Sequence, residues 1–174
     1  TSVLGIDVGA ARNITMLSTY TQFPRDVTMS KALSVGTTAY GTTGEIRATN
    51  NITAYYSDAR LKNFHNTIPD ALNKVCQLNG WLYTENDKAR ELGYNNDKMQ
   101  VGLSAQELEQ VLPEAVTRAP IDIATDPLGN EISKSGEDYK TVYYDRVVPL
   151  LIEAIKELRR EGNTLKGNNN GQEV

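Results

Sequence analysis

The sequence predicts an α+β chain in two parts: a β-rich segment over residues 1–56, then a mixed α/β unit over residues 57–166 that closes on a coiled-coil helix. Three observations predict it. The composition changes character near residue 56, helix stops and turn signals punctuate the chain beyond it, and a 4-3 apolar spacing runs along the last element.

Up to residue 56 the chain is Thr, Ser, Gly, Ala and Asn with short apolar groups such as Val3-Leu4, Met16-Leu17 and Val27, which reads as short strands joined by tight turns. Arg12, Arg25, Lys31 and Arg47 against Asp7, Asp26 and Glu45 leave this part at +1 and the remainder at −5, within a net charge of −4. A low-charge β segment with so little large apolar content cannot easily fold alone. Winding with copies of itself would bury it.

Beyond it, Pro69 suits a first helical position and the run Asp70 to Leu78, stopped by Gly80, predicts a short helix. A second runs from Asp87 to Leu92 before Gly93. Ser104-Ala-Gln-Glu107 has the form of a capping box, with the serine capping an amide and the glutamate reaching back, and it opens a helix through Val111 that Pro113 ends. Ile121-Asp-Ile-Ala and Lys140-Thr-Val-Tyr-Tyr144 predict two strands, with Asp126-Pro-Leu-Gly-Asn130 as the turn of a hairpin-like return.

Tyr144, Val148, Leu151, Ile155, Leu158, Gly162 and Leu165 are spaced alternately by four and three residues, as in a coiled-coil seam that only Gly162 breaks. The same spacing describes an amphipathic helix lying on its own unit. The poor core content of residues 1–56 favours self-association. Residues 167–174, rich in Gly and Asn, read as a disordered tail.

Composition also excludes functions. An acidic chain of 174 residues lacks the clustered cations that neutralise phosphates, so nucleic acid is not an expected partner. One cysteine, Cys76, allows no internal disulfide and reads as a small buried apolar residue; with one histidine, His65, it makes no zinc site. No metal or other cofactor is expected. The longest apolar run, Val147 to Ile155, contains Pro149 and Glu153 and is too short to span a bilayer, so no membrane insertion is expected. Residues 1–20 show no signal-peptide pattern, and the start at Thr1 reads as that of a fragment. Asn13-Ile-Thr15 and Asn51-Ile-Thr53 are glycosylation sequons by pattern only.

The chemistry-bearing motif is Ser57-Asp58-Ala59-Arg60-Leu61-Lys62. A serine and a lysine can act as nucleophile and base. Ser57 directly follows the Tyr56 carbonyl, so its hydroxyl can attack that carbonyl in an N-to-O acyl shift and cut the chain between Tyr56 and Ser57. Lys62 must be neutral to serve as base, which requires burial or a neighbouring cation, and Arg60 is a candidate for that charge. By residue type alone the hexapeptide reads equally as a capped turn with Arg60 and Lys62 in solvent.

The flanks carry more. Gly41-Thr-Thr-Gly-Glu-Ile-Arg-Ala-Thr-Asn-Asn-Ile-Thr-Ala-Tyr-Tyr56 precedes the hexapeptide, and Gly102-Leu-Ser-Ala-Gln-Glu-Leu-Glu-Gln-Val-Leu-Pro-Glu114 follows it. Together they resemble the C-terminal intramolecular chaperone of bacteriophage tail fibres and tailspikes, the endosialidase-type chaperone or S74 peptidase domain. The resemblance extends from about Gly36 to Leu165, with Gly102, Ala105, Gln106 and Glu107 on the family's glycine-hydrophobic-x-alanine-glutamine-glutamate helix and Tyr144 to Leu158 on its closing helix.

The resemblance implies that residues 1–56 are the β-structured end of a trimeric tail fibre in the virion. It implies that residues 57–166 form a homotrimeric chaperone, acting on the upstream fibre segment of its own chain in the host cytoplasm during assembly. It implies a self-cleaving serine endopeptidase with Ser57 as nucleophile and Lys62 as its dyad partner. Three readings stay open beside it: Asp58 orients Lys62 or caps a turn; His65 tunes the site or is a surface residue; Gln106 and Glu107 contact a neighbouring subunit or sit solvated in a first helical turn. An uncleaved fibre tip that binds a host receptor is the rival, and a membrane-tethered transcription factor that releases itself is a poorer one, lacking a basic patch.

Overall fold

The computed structural model describes residues 32–38, 44–53 and 56–169. The strands expected over residues 1–31, the first sequon and residues 170–174 of the tail lie outside them. The chain divides into two compact units, Thr1–Lys62 and Asn63–Val174. The whole is mixed α/β, with small two-stranded sheets and a long last helix.

In the first unit, β1 (Leu33–Val35) pairs with β2 (Ile46–Ala48) in parallel, Leu33 opposite Ile46. The expectation of tight turns is therefore corrected for this pair, because parallel neighbours need a crossover. Gly36, at φ +71°, follows β1; a Cβ there would collide with Thr49 Oγ1, so only glycine fits. Leu33, Val35 and Ile46 are exposed, whereas Ser34 and Arg47 on the alternate positions are half-buried. An apolar face turned outward is a face awaiting cover.

The second unit begins with α1 (Ala71–Cys76). Pro69 does not start it: Pro69 and Asp70 form a turn, with Asp70 in the left-handed region at φ 54°. The cap comes instead from 85 positions away, where Glu157 Oε2 accepts the Leu72 N–H at 2.7 Å. Cys76 is exposed, correcting its expected burial. Next, β3 (Trp81–Tyr83) pairs antiparallel with β4 (Gln100–Gly102) around α2 (Asp87–Glu91). Here the sequence signals work locally. Asn86 Oδ1 caps the Ala89 N–H at 3.0 Å, and beyond the helix the Gly93 and Tyr94 N–H groups return to the Arg90 and Ala89 carbonyls.

The helix α3 (Ala105–Val111) starts where expected, with Ser104 Oγ accepting the Glu107 N–H at 3.3 Å, and Leu112-Pro113 ends it. Only half of the capping box is realised. The Glu107 carboxylate reaches across to Asn79 and Trp81 instead of back to Ser104, accepting the Asn79 N–H at 3.1 Å and the Trp81 indole N–H at 3.3 Å.

The remaining strands are β5 (Val116–Arg118), β6 (Ile123–Thr125), β7 (Glu131–Ser133) and β8 (Lys140–Val142). The Asp126–Asn130 turn joins β6 to β7, whereas β8 pairs with β5. The expected return from Ile121 to Lys140 is thus two nested pairings. Ile121 and Asp122 belong to a 3₁₀ turn rather than to a strand, and Tyr143 and Tyr144 fall beyond β8.

The last helix, α4 (Val147–Asn169), passes through Gly162 and enters the segment read as a tail. Two rows of side chains divide it. Val147, Leu150 and Ala154 are buried against α1, α3 and their flanks, in clusters with Ala71, Leu108, Val111 and Ala115. Burying a leucine such as Leu150 or Leu108, both fully enclosed, stabilises the unit by about 1.5–3 kcal/mol. The row of the expected seam, Val148, Leu151, Ile155, Leu158 and Leu165, is exposed, from 43% at Leu151 to 66% at Leu165. Tyr144 stands before the helix, in a 3₁₀ turn, where its hydroxyl accepts the Leu103 N–H at 3.1 Å. No helix of the described residues is long and apolar enough to cross a membrane.

Candidate active site

The hexapeptide folds as one turn. Ala59–Leu61 form a 3₁₀ helix whose N-cap is Asp58; Lys62 N–H returns to the Ala59 carbonyl at 3.2 Å and Leu61 N–H to that of Asp58 at 3.1 Å. Short polar residues favour this geometry because their side chains satisfy the amides a turn leaves free. The consequence is that Lys62 Nζ donates to Ser57 Oγ at 3.0 Å. Both residues are exposed, as is Tyr56, whose carbonyl precedes Ser57.

Arg60 is not available to Lys62. Its Nε and Nη2 form a fork on Asp58, at 3.0 Å to Oδ1 and 2.6 Å to Oδ2, while Oδ1 also accepts the Arg60 N–H at 2.8 Å. The Arg60 guanidinium and then its backbone N–H hold the Asp58 carboxyl below its ordinary range, and the guanidinium is raised in turn. Of the two open readings of Asp58, the observed contacts are those of a turn cap. Arg60, expected as the cation beside Lys62, is instead ion-paired with Asp58.

His65, Gln106 and Glu107 lie in the second unit. His65 and Gln106 are exposed. Glu107 ties α3 to Asn79 and Trp81 within its own chain. A groove of about 240 Å³ beside β5 and β8 is lined by Glu109, Arg118, Glu131, Asp138 and Lys140. Its charges answer one another: Arg118 meets Asp138 at 2.7 Å and Lys140 meets Glu109 at 2.7 Å. Such a groove offers no unpaired charge to a ligand.

Sequence reasoning missed Asp122, the most organising polar residue of the second unit. It is 1% exposed and accepts from Ser135 N–H at 2.7 Å, Ser133 Oγ at 2.8 Å and Tyr139 N–H at 2.9 Å. Burial alone would raise its carboxyl, but these hydrogen bonds outweigh it and leave the group well below the ordinary carboxylate range. The only signal in the sequence was an acidic residue among apolar neighbours.

The site is thus a serine hydroxyl within hydrogen-bond reach of a lysine across an exposed 3₁₀ turn, in a chain of small sheets and a long last helix. Residues 57–117 match the family model described as chaperone of endosialidase, of the S74 peptidases, so the resemblance carried by the hexapeptide and by Gly102–Glu107 holds. The chain is also similar to long tail fiber proteins Gp37. It is 39% identical to that of Enterobacteria phage K3 over 102 residues, covering 59% of this chain and 7% of that protein. It is 37% identical to that of Enterobacteria phage M1 over 112 residues, covering 63% of this chain and 38% of that protein. The chain thus spans well under half the length of these curated relatives.

Proposed function

We propose that residues 57–166 are an intramolecular chaperone that trimerises, assists the folding of a phage tail fibre to which residues 1–56 belong, and then releases itself by autoproteolysis between Tyr56 and Ser57. The single observation that supports the cleavage is the 3.0 Å approach of Lys62 Nζ to Ser57 Oγ, on the residue directly after the scissile carbonyl. Neutral Lys62 takes the Ser57 hydroxyl proton as Oγ attacks the Tyr56 carbonyl carbon. The Tyr56–Ser57 C–N bond breaks and the proton passes to the departing Ser57 nitrogen, leaving an ester. Water then hydrolyses that ester to a Tyr56 carboxylate and a free Ser57 hydroxyl.

Self-association is supported by what one chain leaves uncovered. Among the described residues eight apolar side chains are buried, four of them alanines, while the large apolar residues of β1, β2 and the outer row of α4 face solvent. The same deficit bears on the chemistry. Lys62 must lose a proton, Arg60 is occupied by Asp58, and the dyad is exposed in one chain, so the desolvation that favours a neutral amine comes from other copies. Cleavage then reports assembly, and loss of the clamp leaves a closed fibre kinetically trapped. An obligate monomer that cleaves at full rate would contradict this coupling.

The test is intact mass of the freshly made chain under denaturing conditions, beside Ser57→Ala and Lys62→Ala. The expected result is two fragments split between Tyr56 and Ser57 in the parent and none in either variant. An intact parent chain would overturn the cleavage and leave the rival, an uncleaved trimerising fibre tip that binds a host receptor.

A further inference from the structure

For Lys62 to reach Ser57 the chain has to fold back on itself within five peptide steps. Extended, those Cα atoms would stand roughly 17 Å apart, well beyond what a lysine side chain spans. The contact therefore exists only while the Ala59–Leu61 turn exists. A single 3₁₀ turn has poor hydrogen-bond geometry and a nucleation cost that its own backbone bonds do not offset. This one has no buried residue to hold it either. What it has is Asp58, which accepts the Arg60 N–H at 2.8 Å with the same Oδ1 that, with Oδ2, grips the Arg60 guanidinium.

We propose that Asp58 is the positioning residue of the dyad: its carboxylate, through the cap on Arg60 N–H and the fork on the Arg60 side chain, keeps Lys62 within proton-transfer distance of Ser57. This rests on the autoproteolytic reading of the same site. Asp58 touches neither the scissile carbonyl nor the proton; it fixes the near-attack geometry, where a displacement of one ångström is enough to slow a reaction strongly. Arg60 is part of the same clamp, and its charge serves Asp58 rather than Lys62.

The experiment follows cleavage of the full chain with time during cell-free synthesis, by denaturing gel and intact mass, for the parent, Asp58→Ala, Asp58→Asn and Arg60→Ala. Asp58→Ala is expected to slow cleavage by about tenfold or more. Asp58→Asn, whose Oδ1 still accepts the Arg60 N–H, restores most of the rate, and Arg60→Ala, which keeps the cap and loses the fork, falls between. Parental cleavage in Asp58→Ala overturns the proposal, as does an Asp58→Asn chain no faster than Asp58→Ala. Should Asp58→Ala fail to fold, a parental rate in Arg60→Ala overturns it. If the parent itself does not cleave, the autoproteolytic reading falls and the clamp is read separately, by acetic anhydride labelling of Lys62 in the intact chains. Labelling should rise several-fold in Asp58→Ala, and equal labelling overturns the positioning role.

Discussion

Asp58 and Asp122 do the same chemistry in opposite settings. Each is a carboxylate that accepts from backbone N–H, one group at Asp58 and two at Asp122, and from a side-chain donor, and each holds an irregular loop in one shape. Asp58 has a side chain 39% exposed, and its partners all belong to Arg60, two positions on. Asp122 is enclosed, and its partners come from 11 to 17 positions away. The exposed carboxylate shapes the Ala59–Leu61 turn, and the buried one ties the segment between β7 and β8 to the 3₁₀ turn before β6. Glu157 stands between them: its side chain is 21% exposed and it caps α1 from α4. If burial grades the role, the three should differ in what their loss does.

The largest effect on folding is expected at Asp122. Asp122→Ala removes the one acceptor that the part-buried Ser135 and Tyr139 N–H groups and the Ser133 hydroxyl share, so three hydrogen bonds are lost together with the anchor of their loop. The melting temperature of the chain should drop by many degrees, with Asp122→Asn intermediate because it keeps one acceptor oxygen. A melting curve that superposes on the parent's would break the comparison at its strongest point.

How much of this was legible in the sequence follows the same division between near and far. α2 was readable from the Gly93 stop, a signal that acts within one helical turn, whereas its cap, Asn86, came from the structure. α3 was readable too, between Ser104 and Pro113. The proximity of Ser57 and Lys62 was legible as a spacing, whereas the Asp58–Arg60 fork, which takes up the cation expected beside Lys62, was not. β8 falls within the strand read from Lys140 and β6 overlaps the one read from Ile121, but β3, β4, β5 and β7 were missed: at three residues each they are too short to show period-two alternation, and β5 finds β8 across the whole β6–β7 hairpin. The start of α1 was misplaced because its cap comes from Glu157, which no local pattern announces. In α4 the 4-3 spacing marks an exposed row, Val148, Leu151, Ile155, Leu158 and Leu165, and Val147, Leu150 and Ala154 make a buried row beside it. Spacing alone could not say which row the chain covers itself.

Glu157 should give a smaller and pH-dependent effect. The Leu72 N–H holds its carboxyl below the ordinary value of 4.5 against the opposing effect of burial, with the Ala71 N–H adding to it. A carboxyl lowered on folding contributes stability that is fully present above its unfolded value and disappears as pH falls through the folded one. The Glu157→Gln chain should therefore melt a few degrees below the parent at neutral pH. The gap should narrow as pH is lowered from about 5 to about 3, because the parent's carboxylate is then lost as well. A gap that stays constant over that range would mean that α1 is held by packing against Leu150 and Ala154 and not by the charge at its N-terminus.

The smallest effect on stability belongs to Asp58, and it is the one that separates positioning from folding. Its turn buries nothing, its fork stands in solvent, and exposed ion pairs contribute little to global stability. Asp58→Ala, made in the uncleavable Ser57→Ala chain so that both partners remain full length, should melt within a degree or so of Ser57→Ala alone. The substitution that slows the reaction most among non-reacting residues would then be the one that the fold notices least. A drop comparable with that of Asp122→Ala would place the hexapeptide among the elements that hold the chain together, and a slowed cleavage in Asp58→Ala would then be a consequence of unfolding. An unchanged melting curve would leave any loss of rate to geometry alone, as the proposed positioning role of Asp58 requires.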